Sequence, residues 1–147
     1  MRRQKRRRAD SSNVRRETVR RFGVETDART QVIDVTDDVR DAVPDDATGV
    51  CTVFVRHTTA GVIVNDNGPT LVGDIESFLD DLVPEDGHAH DALDGNADSH
   101  LRATLVGSDV SIPVEDGELT LGTWQSVLFV ECDGPRSREF VVETVGE

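Results

Sequence analysis

Residues 49–57, Gly-Val-Cys-Thr-Val-Phe-Val-Arg-His, split into two alternating sets: Val50, Thr52, Phe54 and Arg56 against Cys51, Val53, Val55 and His57. A period of two is the repeat of an extended chain, so this segment predicts a strand with one apolar face. Such a face needs a sheet around it and a core beneath it, and the rest of the chain supplies both. Val19, Phe22 and Val24 predict a strand ending near Thr26, and residues 30–36 predict a second. Residues 110–112, 119–121, 124–132 and 138–145 continue the series, with turns at Glu115-Asp116-Gly117 and Gly134-Pro135. β-Branched residues dominate these segments.

Three segments carry helical signals instead. Thr36 reads as an N-cap before the acidic Asp37 and Asp38, opening a short helix that ends before Pro44. Pro69 opens the clearest helix, through residue 83, with Leu71, Val72, Ile75, Phe78, Leu79 and Leu82 at three- and four-residue spacing on one apolar face; Pro84 stops it. Residues 85–98 read as a long loop rich in Gly, Asp and His. Asp98 or Ser99 then caps a shorter helix through Leu101, Leu105 and Val106 to Gly107. The expected fold class is α+β: a mostly antiparallel, β-sandwich-like core with one long and one or two short helices.

The chain has 147 residues, the size of one domain. Charge divides it unevenly. Residues 1–16 hold eight Lys/Arg against Asp10 alone, and read as a disordered basic tail on a domain spanning 17–147. That domain holds eight Arg and 28 acids, a net −20, and Lys5 in the tail is the only lysine. A body this acidic repels itself at low ionic strength and suits molar salt, where screening shrinks to about 3 Å. Nucleic acid is therefore not an expected partner, beyond weak contact through the tail. No run of 18 apolar residues exists and the N-terminus lacks the apolar segment of a secretory signal, so the expectation is a cytoplasmic protein with no membrane partner. Cys51 and Cys132 each lie in an apolar run and are expected as buried free thiols.

Chemistry has few carriers. The four histidines are His57 at a strand end, His88 and His90 in the loop, and His100 at a helix start. Imidazole is the common metal ligand and neutral-pH acid or base, and these elements can converge on one cleft, although spacing alone favours unrelated histidines over a shared site. The amides of Asn65 and Asn96 can bind a substrate or hold a loop. Arg102, Arg136 and Arg138 can fork onto phosphate, or pair with acids such as Glu131 and Asp133. Trp124 reads as a packing anchor. The chain lacks a P-loop, a dinucleotide Gly-x-Gly-x-x-Gly and a Gly-x-Ser-x-Gly elbow.

Four stretches carry a resemblance: FGVETDARTQVIDVT at 22–36, HTTAGVIVNDN at 57–67, PEDGHAHDALDGNADSHLRATLVGS at 84–108 and IPVEDGELTLGTWQSVLFVECDGPRSR at 112–138. In order and spacing they resemble the YjbQ-like family, often labelled secondary thiamine-phosphate synthases, over about residues 17–147. The resemblance implies a homotrimer with a polar cleft near the subunit contacts. It implies catalytic roles for His57, Asn65, Asp66 and Asp98, with Asp98 fixing an imidazole tautomer. It implies substrate contacts from Gln125 and Arg136, beside Asn96, with Glu131 a further candidate. It implies a divalent metal on His57, His90 and His100, zinc or another transition metal, or magnesium arriving with pyrophosphate. His88 matches no family position, and Asp66 stands where relatives often carry Glu. The implied reaction joins a pyrimidine-methyl pyrophosphate to a thiazole phosphate and releases pyrophosphate. The alternative is a non-catalytic homotrimer that binds a metal or metabolite.

Overall fold

The computed structural model describes residues 16–146, so the expected tail lies outside the described residues apart from Arg16. The strands are β1 (Arg16–Glu25), β2 (Gln31–Asp34), β3 (Gly49–Val55), β4 (Ala60–Asn65), β5 (Asp109–Glu115), β6 (Glu118–Leu119), β7 (Ser126–Glu131) and β8 (Ser137–Gly146). The helices are α1 (Thr36–Ala42), α2 (Pro69–Leu82) and α3 (Ala97–Val106), with a single 3-10 turn at Ala89–Ala92. Two antiparallel sheets form, one in the order β1-β8-β3-β5-β6 and one in the order β2-β7-β4. The fold is α+β, as expected.

The smaller sheet is the middle layer. Val127 and Phe129 of β7 face the larger sheet, joining Cys51, Val53, Val55, Phe140 and Val142 in the main core. Their neighbours Leu128 and Val130 face the other way and pack with Leu79, Val72 and Ile75 of α2 and Val106 of α3. The alternation read from residues 49–57 holds in detail: Cys51 and Val53 are fully buried, while Val50 and Phe54 are exposed on the outer face. Cys51 and Cys132 are buried free thiols.

Several local expectations are corrected. Thr36 is not the N-cap of α1, whose cap position is Val35. Its hydroxyl bonds the Asp34 carboxylate and accepts the Val127 amide at 2.9 Å, tying α1 to the smaller sheet. Asn96, not Asp98 or Ser99, occupies the cap position of α3; both of those side chains lie inside the helix and are buried. The apolar face of α2 is only partly used, since Leu79 is buried but Phe78 is 60% exposed. Trp124 is 75% exposed and anchors nothing in this chain. β4 adds a strand where the sequence shows five consecutive apolar or glycine residues rather than an alternation.

Candidate functional site

The His57 site begins where β3 ends. The β3–β8 ladder runs to the pair Val55↔Phe140. One residue further along β8, the Glu139 amide donates to His57 Nε2 at 2.9 Å, so the side chain completes a backbone contact that the departing strand no longer makes. The next residues are pinned from below. The Arg138 guanidinium donates to Thr59 Oγ1 at 2.8 Å and, through Nε, to Glu131 Oε2 at 2.7 Å. Glu131 is fully buried and also accepts from Thr26 Oγ1 and the Asp133 amide, each at 2.9 Å. Burial opposes its charge, but Arg138, that amide and Thr26 together hold its carboxyl below the ordinary range. Burial, then Arg138, lowers the His57 pKa against weaker opposition from Glu131 and Glu139, so the ring is neutral at pH 7.

α3 is fixed by a second buried network. Arg102 donates from Nε to the Leu79 carbonyl at 2.6 Å and from Nη2 to those of Val83 and Asp80 at 2.7 and 3.1 Å, satisfying the C-terminal end of α2. Its Nη1 is held by Asp98, which also takes Arg29 Nη2 at 2.9 and 3.0 Å. Desolvation disfavours the Asp98 charge; the bonds from Arg102 and Arg29 prevail and keep its pKa low. Asp98 therefore bonds two guanidinium groups and no imidazole. The resulting helix position brings His100 to 5.1 Å from His90, ring centre to ring centre, in an edge-to-face arrangement.

Two cavities flank His100. One, of about 580 Å³, is lined by Gly87, His88, Ala89, His90, Ala97 and Leu101 as well as His100. The other, of about 330 Å³, is lined by His57, Thr58, Ala60, Ala103, Thr104, Gly107 and Ser108 together with His100. The structure thus brings His57, His90 and His100 into one continuous neighbourhood with His100 in the middle. His90 Nε2 is sealed against protein without a hydrogen-bond partner, 3.8 Å from the Asp94 carboxylate. His88 lines the larger cavity, but both its nitrogens are engaged: Nε2 at 2.7 Å from the Pro84 carbonyl, the other accepting the Asp91 amide.

The remaining candidates lie elsewhere. Asn65 and Asp66 sit at the far end of β4, where Asn65 Oδ1 accepts the Asp66 amide and Asp66 Oδ1 accepts the Gly68 amide before α2; they line neither cavity. Gln125 Oε1 accepts the Gly122 amide in an exposed turn. Arg136 bonds the Asp133 carbonyl and carboxylate at 2.8 and 2.9 Å, and Asn96 Nδ2 donates to the same carboxylate at 3.0 Å. Of the two arginine readings, pairing with Glu131, Asp133 and Asp98 is the one the structure shows. Arg29 and Thr59 were not singled out from sequence; the signal for Arg29 was the scarcity of arginine in so acidic a body.

A metal on all three histidines does not fit this arrangement. His57 Nε2 is used by an amide donor, and among the described residues no group of three or more His, Cys, Asp or Glu side chains is placed to hold an ion. His90 and His100 alone have the separation of two imidazoles on one tetrahedral ion, about 5 Å between ring centres. Neither cysteine offers a reactive thiolate: burial pushes Cys132 up to about 12 and also raises Cys51.

Fold and cleft together define a class: a small two-sheet α+β domain with a cleft lined by imidazoles and hydroxyls. The chain belongs to the YjbQ family, matching the model described as UPF0047 protein YjbQ-like over residues 20–147. A UPF0047 protein of Archaeoglobus fulgidus is 45% identical over 123 residues, 83% of this chain and 97% of its own. A crystal structure of a YbjQ-like protein of unknown function from Sulfolobus solfataricus aligns with a TM-score of 0.85 at 33% identity, covering 91% of this chain and 100% of that one. A hypothetical protein from Aeropyrum pernix aligns at the same TM-score and 42% identity, over 88% and 98%.

Proposed function

We propose that the chain is a transferase that joins a pyrimidine-methyl pyrophosphate to a thiazole phosphate in the cleft around His100. The observation that carries this reading is the pair of cavities meeting at one imidazole, which gives two small molecules adjoining seats. In the step, the thiazole nitrogen forms a bond to the pyrimidine methylene carbon, and the carbon–oxygen bond to pyrophosphate breaks with its electron pair leaving on pyrophosphate. The nucleophile belongs to the substrate, which accords with a cleft lacking an activated serine or cysteine. The apolar side chains of Ala89, Ala97 and Leu101 line the larger cavity, and a neighbouring subunit laid over them would keep water from the methylene carbon as it gains positive charge.

The charge of the pyrophosphate is met from outside the subunit. Each of the eight arginines in residues 17–147 already bonds within the chain, Arg20 to the Asp41 backbone carbonyl and the others to the carboxylates of Glu139, Asp98, Asp37, Asp133 or Glu131. We therefore propose a homotrimer in which a neighbouring subunit completes the cleft. Leu101 and Leu105 on α3 and Leu93 before it are exposed beside the His90–His100 pair, an apolar rim that suits a subunit contact. The same arginine pairing favours a second reading, in which the trimer binds a metabolite without turning it over. Incubation with both precursors in molar KCl separates them: the first expects thiamine phosphate and pyrophosphate in equal amounts, the second saturable binding with neither product.

A further inference from the structure

We infer that His57 is a tautomer-locked hydrogen-bond donor, with its proton on Nδ1, that recognises an uncharged acceptor atom of the substrate's heterocycle and is not a metal ligand. A backbone amide can only donate, so the 2.9 Å contact from the Glu139 N–H requires a lone pair on His57 Nε2. A neutral ring then carries its one proton on Nδ1. Turning the ring by 180° puts Cε1 against the amide and strips that half-buried donor of its partner, so the opposite orientation is disfavoured. A metal on Nδ1 would leave both nitrogens without a proton, and a metal on Nε2 would displace the amide.

Nδ1 is the nitrogen left for a ligand. It has no hydrogen-bond partner among the described residues, is not sealed from solvent, and belongs to a ring that lines the smaller cavity. The other polar groups there are Thr58, His100, Thr104 and Ser108, with no carboxylate or guanidinium. A cavity of about 330 Å³ whose polar lining is hydroxyls and imidazoles, with no guanidinium, suits a ring carrying nitrogen or carbonyl acceptors better than a phosphate. The ligand class rests on the function proposed above; the tautomer and the exclusion of metal rest on the hydrogen bond alone.

Nitrogen-15 histidine NMR on the full chain in molar KCl tests each part without turnover, with resonances assigned by His57→Gln, or by single substitutions of the other three histidines if that variant fails to fold. At pH 7 we expect His57 to show a protonated Nδ1 and an unprotonated, hydrogen-bonded Nε2, unchanged through a Zn²⁺ titration. A proton on Nε2, or loss of the Nδ1 proton with a metal-bound shift on adding zinc, overturns the assignment. Adding 4-aminopyrimidine should move the His57 Nδ1–H resonance downfield, while inorganic phosphate should leave it in place. The reverse pattern, or no response to the pyrimidine at millimolar concentration, overturns the ligand class and with it the substrate reading, while leaving the tautomer assignment standing on its own measurement.

Discussion

Single residues in this protein matter most where a charge is buried. Arg138 and Glu131 are 5% and 0% exposed at the side chain, so removing one partner strands the other in a dry interior. Arg138→Met is expected to destabilise the fold by about 3–5 kcal/mol, and adding Glu131→Leu should recover most of that loss in denaturant unfolding. The carboxyls of Glu131 and Asp98 are held low when folded, so their stabilisation is full above the ordinary carboxyl range near pH 4 and vanishes as pH falls through the folded values. His57 has the same sign for a different reason. Its folded pKa lies below the ordinary value of about 6.5, so the unfolded chain takes up a proton first and stability falls as pH drops from there. Melting curves of His57→Gln should therefore show a shallower loss between neutral and mildly acid pH than those of the unaltered protein. The three histidines were visible in the sequence as chemistry without a geometry. What could not be read was that Asp98, expected beside an imidazole, is fully buried between Arg102, one helical turn away, and Arg29, 69 residues away in the chain, and is used up there.

At the scale of elements, the strand that escaped the sequence reading, β4, is one that packs on both faces. β3 has one buried face and one open face, so it alternates and was readable. β4 and β7 lie in the middle layer, buried toward the larger sheet on one side and toward the helices on the other. Alternation disappears in such strands; β7 stayed legible through its run of β-branched and aromatic residues at 127–130, whereas residues 60–64 offer only a short apolar and glycine stretch. The same burial explains why α3 sits where it does. Gly107, at φ +94, ends the helix, and its carbonyl accepts the Val62 amide of β4 at 3.1 Å, while the carbonyl of Ser108 accepts the Val55 amide of β3 at 2.8 Å. Across that junction a Cβ on Gly61 would stand 2.3 Å from the Gly107 carbonyl oxygen and 2.7 Å from Val106. Gly61→Ala is expected to lower unfolding stability by about 1–3 kcal/mol and to push α3 away from β4. Because α3 carries His100, its ring resonances should shift in that variant while those of His88, on a separate turn, stay put.

Among the described residues the ion pairs run between two extremes, with Arg29–Asp98 and Arg136–Asp133 half-open between them. Arg21–Glu139, Arg56–Glu139 and Arg40–Asp37 are exposed at 3.4–3.6 Å and contribute little once salt screens them. Arg138–Glu131 and Arg102–Asp98 are closed to solvent, where mobile ions do not reach. The body's net −20 is a repulsion that screening relieves, so melting temperature should climb from dilute buffer to molar KCl. A flat or falling trend counts against that account. Light scattering at high salt is expected to give the mass of three chains, with exposed Leu93, Leu101 and Leu105 in the contact; a monomer mass refutes it. The described residues contain no helix long and apolar enough to cross a membrane. The two kinds of pair also divide the labour of endurance and form. Ionic strength governs how long the fold persists, because it acts on the outer charges. It has little purchase on the closed pairs Arg138–Glu131 and Arg102–Asp98, so the Thr59 loop and the seat of α3 on α2 hold alike across the range of salt in which the chain stays folded. A cell whose internal salinity swings would then find the molecule more or less durable from hour to hour, with the loop and helix around His57 and His100 held by the same bonds throughout.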